Sequence, residues 1–284
     1  MRSLLFVPGD SERKFERGCA TAAAALILDL EDSVAPEAKA AARGLTAAML
    51  RRPRGAQRHF VRVNAFDTGL TAADLAAVAA AAPDAIVLPK CEGPDQVVRL
   101  GHMLDALEAA HGLAAGATQI VAIATETAAS LFNLGSYRDC SPRLWGLMWG
   151  AEDLAASLGA AQNRDAAGFF EPYRLARNLC LAGAAAAGLA AIDTVTPALD
   201  DLTALEAEAR AARRDGFSAK AVIHPKHVDV VNAAFRPTEA EIAWARRVVE
   251  AFAAPGAGGV LTLDGKMIDR PHLRAAQRVL DAAK

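Results

Sequence analysis

Aromatic side chains are scarce in this sequence, 5% of the residues against 53% hydrophobic overall. The apolar bulk therefore comes from Ala, Leu and Val, a mixture suited to helices packed on a parallel sheet. Cysteine is scarce too: Cys19, Cys91, Cys140 and Cys180 lie far apart, with no C-x-x-C and no histidine at zinc-ligand spacing. That excludes a structural zinc motif and reads as ordinary reduced thiols of a cytosolic protein. No long hydrophobic run occurs. The opening MRSLLFVPG carries a positive charge, but its apolar stretch is too short for a secretory signal or a membrane span. The expected location is the cytoplasm, with no membrane partner. Neither sign of charge dominates, with 31 Lys and Arg against 33 Asp and Glu, and no basic stretch is dense enough to follow a nucleic-acid backbone. No nucleic-acid partner is expected.

What is present is a recurring pattern. Strand-like apolar runs, each followed by a stretch of helical periodicity, appear as SLLFVPG, ALILDLED, RHFVRVNA, DAIVLPK, QIVAIATET, LWGLMWGAED, AAIDTVTP and AKAVIHP. Eight β-α units in order predict an α/β fold, a TIM (β/α)8 barrel, and 284 residues suit one such barrel. An open doubly wound sheet is the rival, but neither G-x-G-x-x-G nor G-x-x-x-x-G-K-[ST] follows any run. The one compositional break is AAPGAGG, residues 253 to 259, whose glycines and proline end the helix EAEIAWARRVVEAFA. We therefore expect a catalytic barrel over 1–252 and a flexible joint with a C-terminal arm over 253–284. The arm should begin as a turn around Asp264 and Gly265 and close with a helix.

Active sites of such barrels lie at the C-terminal ends of the strands, so the polar residues ending the runs should share one mouth. They are Asp29, Glu31 and Asp32; Arg62 and Asn64; Lys90; Glu126; Glu152 and Asp153; Asp193; and His224. Massed carboxylates repel one another unless a cation sits among them. Hard oxygen donors with few His and no paired Cys favour Mg²⁺, with Glu126 and Asp153 on adjacent strands as its ligands. The competing reading is that each of these two acids caps the helix that follows it. Lys90 is expected to meet the acidic rim in an ion pair, Asp29 to orient its neighbours, and Leu147, Met148 and Trp149 to fill core. His59, His102, His111, His227 and His272 receive no role.

Taken in order, RSLLFVPGDSERKFERG, LDLEDSVAPEAKAAAR, VRVN, LPK, TETAASLFNL, WGAEDLAASLG, GFSAKAVIHP and DGKMIDRPHLRAAQ resemble the successive motifs of the citrate lyase beta-subunit and malyl-CoA lyase family, within the HpcH/HpaI aldolases. The match spans nearly the whole chain. The resemblance implies a Mg²⁺-dependent lyase that cleaves or forms a β-hydroxyacyl-CoA thioester, such as malyl-, citramalyl- or citryl-CoA, giving acetyl-CoA and a 2-keto acid. It implies Glu126 and Asp153 as metal ligands, Arg62 as the clamp on the keto acid, Glu31 and Asp32 holding metal-bound waters, and Asp269 as the acid that protonates the enolate carbon. Arg13 and Arg17 match positions that meet the nucleotide phosphates, although two arginines four residues apart are ordinarily a solvated helix face. Phe6 either flanks the adenine or fills core, and His224 is a substrate contact or a structural group. The family's homo-oligomers, trimers or hexamers, imply that the C-terminal segment covers a neighbouring subunit; residue pattern alone instead makes Asp269 a cap of the last helix. Two alternatives stay open: a thioesterase or malate-synthase-like activity, and a beta component acting on a carrier-protein thioester. The loop RVNAFDTGLTAADL is short beside its family counterparts, which leaves the size of the keto acid undetermined.

Overall fold

The computed structural model describes residues 1–254 and 258–283, and these form two compact units, Met1–Ala234 and Phe235–Lys284. Residues 255–257 of the expected joint lie outside the described residues. The strands are β1 (Ser3–Pro8), β2 (Ala25–Asp29), β3 (Arg58–Arg62), β4 (Ala85–Leu88), β5 (Gln119–Ile123), β6 (Leu144–Met148), β7 (Arg164–Asp165), β8 (Gly168–Phe169), β9 (Ala190–Asp193), β10 (Ala219–Val222), β11 (Val260–Leu263) and β12 (Lys266–Asp269). The α-helices are α1 (Glu12–Cys19), α2 (Lys39–Leu50), α3 (Thr71–Val78), α4 (Pro94–Ala110), α5 (Glu152–Leu158), α6 (Glu171–Ala187), α7 (Leu202–Asp215), α8 (Pro225–Ala234), α9 (Glu239–Ala253) and α10 (Arg270–Ala283).

In the first unit, parallel strands close into a barrel in the order β1-β10-β9-β6-β5-β4-β3-β2. All eight runs read from the sequence are its staves, and closure is made by β1, which pairs Leu4 with Ala25 of β2 and with Ala221 of β10. The run ALILD is buried at every residue because one face meets the barrel interior and the other the helices, which is why it lacks polar alternation. Leu4, Ile27, Phe60, Val87, Val121 and Ile192 fill that interior. α-Helices follow every barrel strand but one: after β5 a short 3₁₀ segment, Ala129–Asn133, stands in the helix's place. The small β7–β8 hairpin separates α5 from α6.

The second unit holds α9, the antiparallel β11–β12 hairpin and α10, with Ala245, Val248, Ile268 and Ala276 buried among them. Its turn is the one expected around Asp264 and Gly265, whose φ angles of 51° and 72° are the left-handed pair that a two-residue hairpin turn demands. The unit boundary groups α9 with this arm.

At the N-terminal face of the barrel, remote from the strand ends that carry chemistry, one ion pair joins α4 to the starts of β5 and β6. Arg143 donates to Glu108 at 2.8 and 2.6 Å and to the carbonyl of Thr118 at 2.9 Å, while Glu108 also accepts from the main-chain N–H groups of Gly116 and Thr118. Both side chains are buried. These bonds, the Arg143 bond foremost, hold the Glu108 carboxyl at about 2 against its usual 4.5, so its contribution to stability is complete above pH 4.5 and is lost as the pH falls towards 2. Glu108→Ala leaves the buried guanidinium with the exposed Asp105 carboxylate as its ionic partner and should cost about 3 kcal/mol at neutral pH. Urea unfolding of wild type and variant should show this gap narrowing with acid below pH 4.5; a gap independent of pH would remove the pair from the stability account.

Candidate active site

The site is built on the ends of β2 and β3. Asp29 and Arg62 are the last residues of these strands and face each other in register. The guanidinium donates from Nε to Asp29 Oδ1 and from Nη2 to Oδ2, both at 2.7 Å, a bidentate pair that fixes its plane. Asp29 also accepts from the main-chain N–H groups of Glu31 and Ser33, at 2.9 and 3.2 Å, which turns the chain out of the strand. Burial alone would raise the Asp29 pKa; the charge and hydrogen bonds of Arg62 reverse that and hold it below the usual range. Phe6 of β1 lies under the guanidinium, its ring centroid 5.0 Å away. The turn after β1 passes close by. A Cβ on Gly9 would stand 2.6 Å from Thr46 Oγ1 and 2.8 Å from the Asp29 carbonyl oxygen, so the PGD stretch needs its glycine there.

The second half comes from β4, β5 and β6. Glu126 does not cap the segment after it: its Oε2 accepts from the main-chain N–H of Lys90 at 2.6 Å. Lys90 holds a left-handed backbone, φ 50°, unusual for a residue with a long side chain, and that conformation aims the N–H at the carboxylate. Its ammonium turns to Glu31 Oε1 at 2.5 Å and lies 3.4 Å from Asp153 Oδ1 and 3.8 Å from Asp32 Oδ2. The ion pair expected of Lys90 is therefore present. Glu31 Oε2 is 2.8 Å from Arg62 Nη1 but off the hydrogen-bonding line, so this buried oxygen has charge attraction without a hydrogen bond. Burial pushes the Glu126 carboxyl up to about 8, helped by the charges of Asp153 and Glu31 and opposed by Arg62. Gly150, just after β6, makes this crowding possible: a Cβ there would meet Glu126 Cγ at 2.9 Å.

Arg62, Glu126 and Asp153 line one cavity of ≈ 410 Å³, together with Asp29, Asp32 and Glu152. Its floor is the top of the barrel core. Met148 and Trp149, read from the sequence as core, also line it, while Leu147 is wholly buried. Trp149 is locked by an indole bond of 2.7 Å to Asp193, which in turn pairs with Lys220 at 2.9 Å and Arg177 at 3.1 Å. Asn64 serves the frame as well, donating to Asp74 and to the Leu30 carbonyl. Among the described residues no group of three or more His, Cys, Asp or Glu side chains is gathered at metal-binding spacing. Two carboxylates facing a cavity, one of them raised chiefly by burial, nevertheless fit a hard divalent cation that completes its shell with water or ligand oxygens.

Other expected residues lie elsewhere. Arg13 and Arg17 are exposed on α1 and do not line the cavity. His224 is half-buried beside it, its Nδ1 accepting from the Lys226 N–H at 3.2 Å; burial lowers its pKa, and Lys226, His227 and Arg17 add to that. Asp269 belongs to the second unit, where its Oδ1 is 2.6 Å from His272 Nδ1, and that bond holds the carboxyl below its usual range. Sequence reasoning passed over four features: the fork between Asp29 and Arg62, the Lys90 main-chain donor, the glycine under Glu126 and the Asp269–His272 contact. Only the last carried a readable signal, the three-residue spacing at a helix start.

Comparison with known proteins places these residues in a family. Residues 2–225 match the model of the HpcH/HpaI aldolase/citrate lyase family. The chain is 36% identical over 280 residues to the citrate lyase subunit beta-like protein of Mycobacterium tuberculosis, covering 98% of this chain and 94% of the relative. It is 37% identical over 290 residues to the (3S)-malyl-CoA thioesterase of Cereibacter sphaeroides, covering 100% and 94%. Among solved structures, CitE from M. tuberculosis in complex with magnesium, acetoacetate and coenzyme A superposes with a TM-score of 0.82 at 35% identity, over 99% of this chain and 97% of that one. The chain belongs to the HpcH/HpaI aldolase/citrate lyase family.

Proposed function

We propose that this protein is a Mg²⁺-dependent carbon–carbon lyase that cleaves, or in reverse forms, a β-hydroxyacyl-CoA thioester to give acetyl-CoA and a 2-keto acid. The observation that carries this reading is the oriented guanidinium of Arg62 facing the same cavity as Glu126 and Asp153. With Nε and one N–H of Nη2 committed to Asp29, the donors left on Nη1 and Nη2 form a second fork for a carboxylate and its neighbouring oxygen. Glu126 and Asp153 would hold the Mg²⁺, with Glu31 and Asp32 behind them. When bound, the ion supplies a Lewis acid that neutralises charge on the substrate oxygens.

In the cleavage direction the β-hydroxyl gives its proton to the Asp269 carboxylate, the bond between the α and β carbons breaks, and the electron pair passes to the thioester as an enolate. Arg62 stabilises the keto-acid oxygens as the bond breaks. Asp269 is the group we assign to carry that proton on to the enolate carbon; in the condensation direction its carboxylate, held by His272, takes the proton from the acetyl carbon and passes it to the new alkoxide. Arg13 and Arg17 would meet the nucleotide phosphates of CoA at the rim, with His224 beside them. A homo-oligomer, trimer or hexamer, in which Asp269 serves a neighbouring mouth completes the reading. The second reading, hydrolysis of a malyl-type thioester, is supported by the likeness to the C. sphaeroides thioesterase.

Arg62→Lys keeps the charge but loses the fork, so kcat/KM should fall by at least about 100-fold with the fold intact. Near-normal kinetics would move the clamp elsewhere. Glu126→Gln, and Gly150→Ala by displacing the Glu126 carboxylate, should each weaken Mg²⁺ binding by about tenfold or more in calorimetry, and EDTA should abolish turnover. Unchanged metal affinity in both variants would remove Glu126 from the metal site. Mixing inactive Asp269→Asn chains with inactive Arg62→Ala chains should restore part of the activity once mixed oligomers are verified; no recovery would confine Asp269 to its own barrel or remove it from the chemistry.

A further inference from the structure

Lys90 meets four acids of the mouth from two directions. Its main-chain N–H donates to Glu126 Oε2 at 2.6 Å, while its ammonium lies 2.5 Å from Glu31 Oε1, 3.4 Å from Asp153 Oδ1 and 3.8 Å from Asp32 Oδ2. At φ 50° the main chain serves one carboxylate while the side chain serves three. Arg62 is engaged differently, forked on Asp29 and 2.8 Å from the other oxygen of Glu31. Asp32 and Asp153 find their ion-pair partner in Lys90 instead. The Lys90 side chain is 26% exposed and that of Glu31 5%. The ammonium, on its flexible stem, can therefore swing into water, whereas the buried carboxylate stays in place.

These contacts bear on the metal, and the step rests on the reading that Glu126 and Asp153 hold Mg²⁺. A divalent ion on those two carboxylates and an ammonium 3.4 Å from one of them draw on the same negative charge, and two cations so close repel each other. We propose that Lys90 is a positioning residue that competes with the metal. With no ion bound it holds Glu31, Asp32 and Asp153 together against their mutual repulsion, and it weakens Mg²⁺ binding because the arriving ion has to displace the ammonium from Asp153. Glu31 then keeps the lysine at the rim. The metal is by this account an exchangeable one, taken up and released with the free Mg²⁺ concentration, and not a permanent part of the fold. A lysine that only tethered the rim would have no effect on metal affinity.

Metal binding, not turnover, is the readout. Full-length wild type, Lys90→Met and Lys90→Gly are stripped with EDTA, titrated with Mg²⁺ in a calorimeter, and melted with and without the ion. Met keeps the apolar stem and removes only the charge. Gly accepts a φ of 50° without strain and keeps the N–H for Glu126, so it serves should the Met variant fail to fold. Loss of the ammonium should tighten Mg²⁺ binding by at least about tenfold. It should also lower Tm in EDTA, and at one saturating Mg²⁺ concentration the ion should raise the variant's Tm by about 3 °C more than that of wild type. Unchanged affinity, with the same loss of Tm in EDTA and in Mg²⁺, makes Lys90 a tether and overturns the proposal. Weaker binding overturns it as well, by making the ammonium a support of the metal. Both of those results leave the metal reading standing, since wild type still binds the ion; no Mg²⁺ binding by any of the three proteins overturns both.

Discussion

One guanidinium organises this molecule's working face. Arg62 ends β3 with its plane fixed by Asp29 at the end of β2, two bonds of 2.7 Å across adjacent strands. Because the same group attracts Glu31 and moderates the raised pKa of Glu126, it is the positive charge that lets Asp29, Glu31 and Glu126, from the ends of β2 and β5, share one mouth. Without it the acids would repel one another or protonate. The barrel's part is to anchor that geometry: β2 beneath is buried at every residue, and its interior neighbours are close-packed core.

The remaining acids are accommodated by Lys90 and Gly150. Lys90 takes a left-handed conformation so that its N–H reaches Glu126 while its ammonium reaches Glu31. Gly150 surrenders a side chain so that Glu126 can stand where it does. The left-handed Lys90 sits at the candidate site, the place where such strain is expected to serve function. The N-terminal face, by contrast, is held by the fully satisfied Arg143–Glu108 pair, a matter of stability alone.

Much of this was legible in the sequence. The eight apolar runs imply the barrel because each is followed by a stretch of helical periodicity, and the rule that polar strand ends share a mouth brings Arg62, Glu126 and Asp153 together from the sequence. What escaped were relations set by closure of the barrel. Asp29 and Arg62 are 33 residues apart, and their register is decided by β2–β3 pairing, which periodicity does not encode. Lys90 read as an ammonium, whereas half of its work is done by its main chain. The grouping of α9 with the C-terminal arm depends on packing of Ala245 and Val248 with Ile268, which lies beyond the glycine-rich break.

The family of this chain includes proteins named for two different bond cleavages, and the function proposed above is the carbon–carbon one. Product analysis separates the two most directly. Incubated with Mg²⁺ and citramalyl- or malyl-CoA, the protein should release a keto acid and acetyl-CoA in equal amounts, followed by mass spectrometry from the first turnovers, with no early free CoA. Release of free CoA and the intact hydroxy acid, with no keto acid formed, would contradict the account.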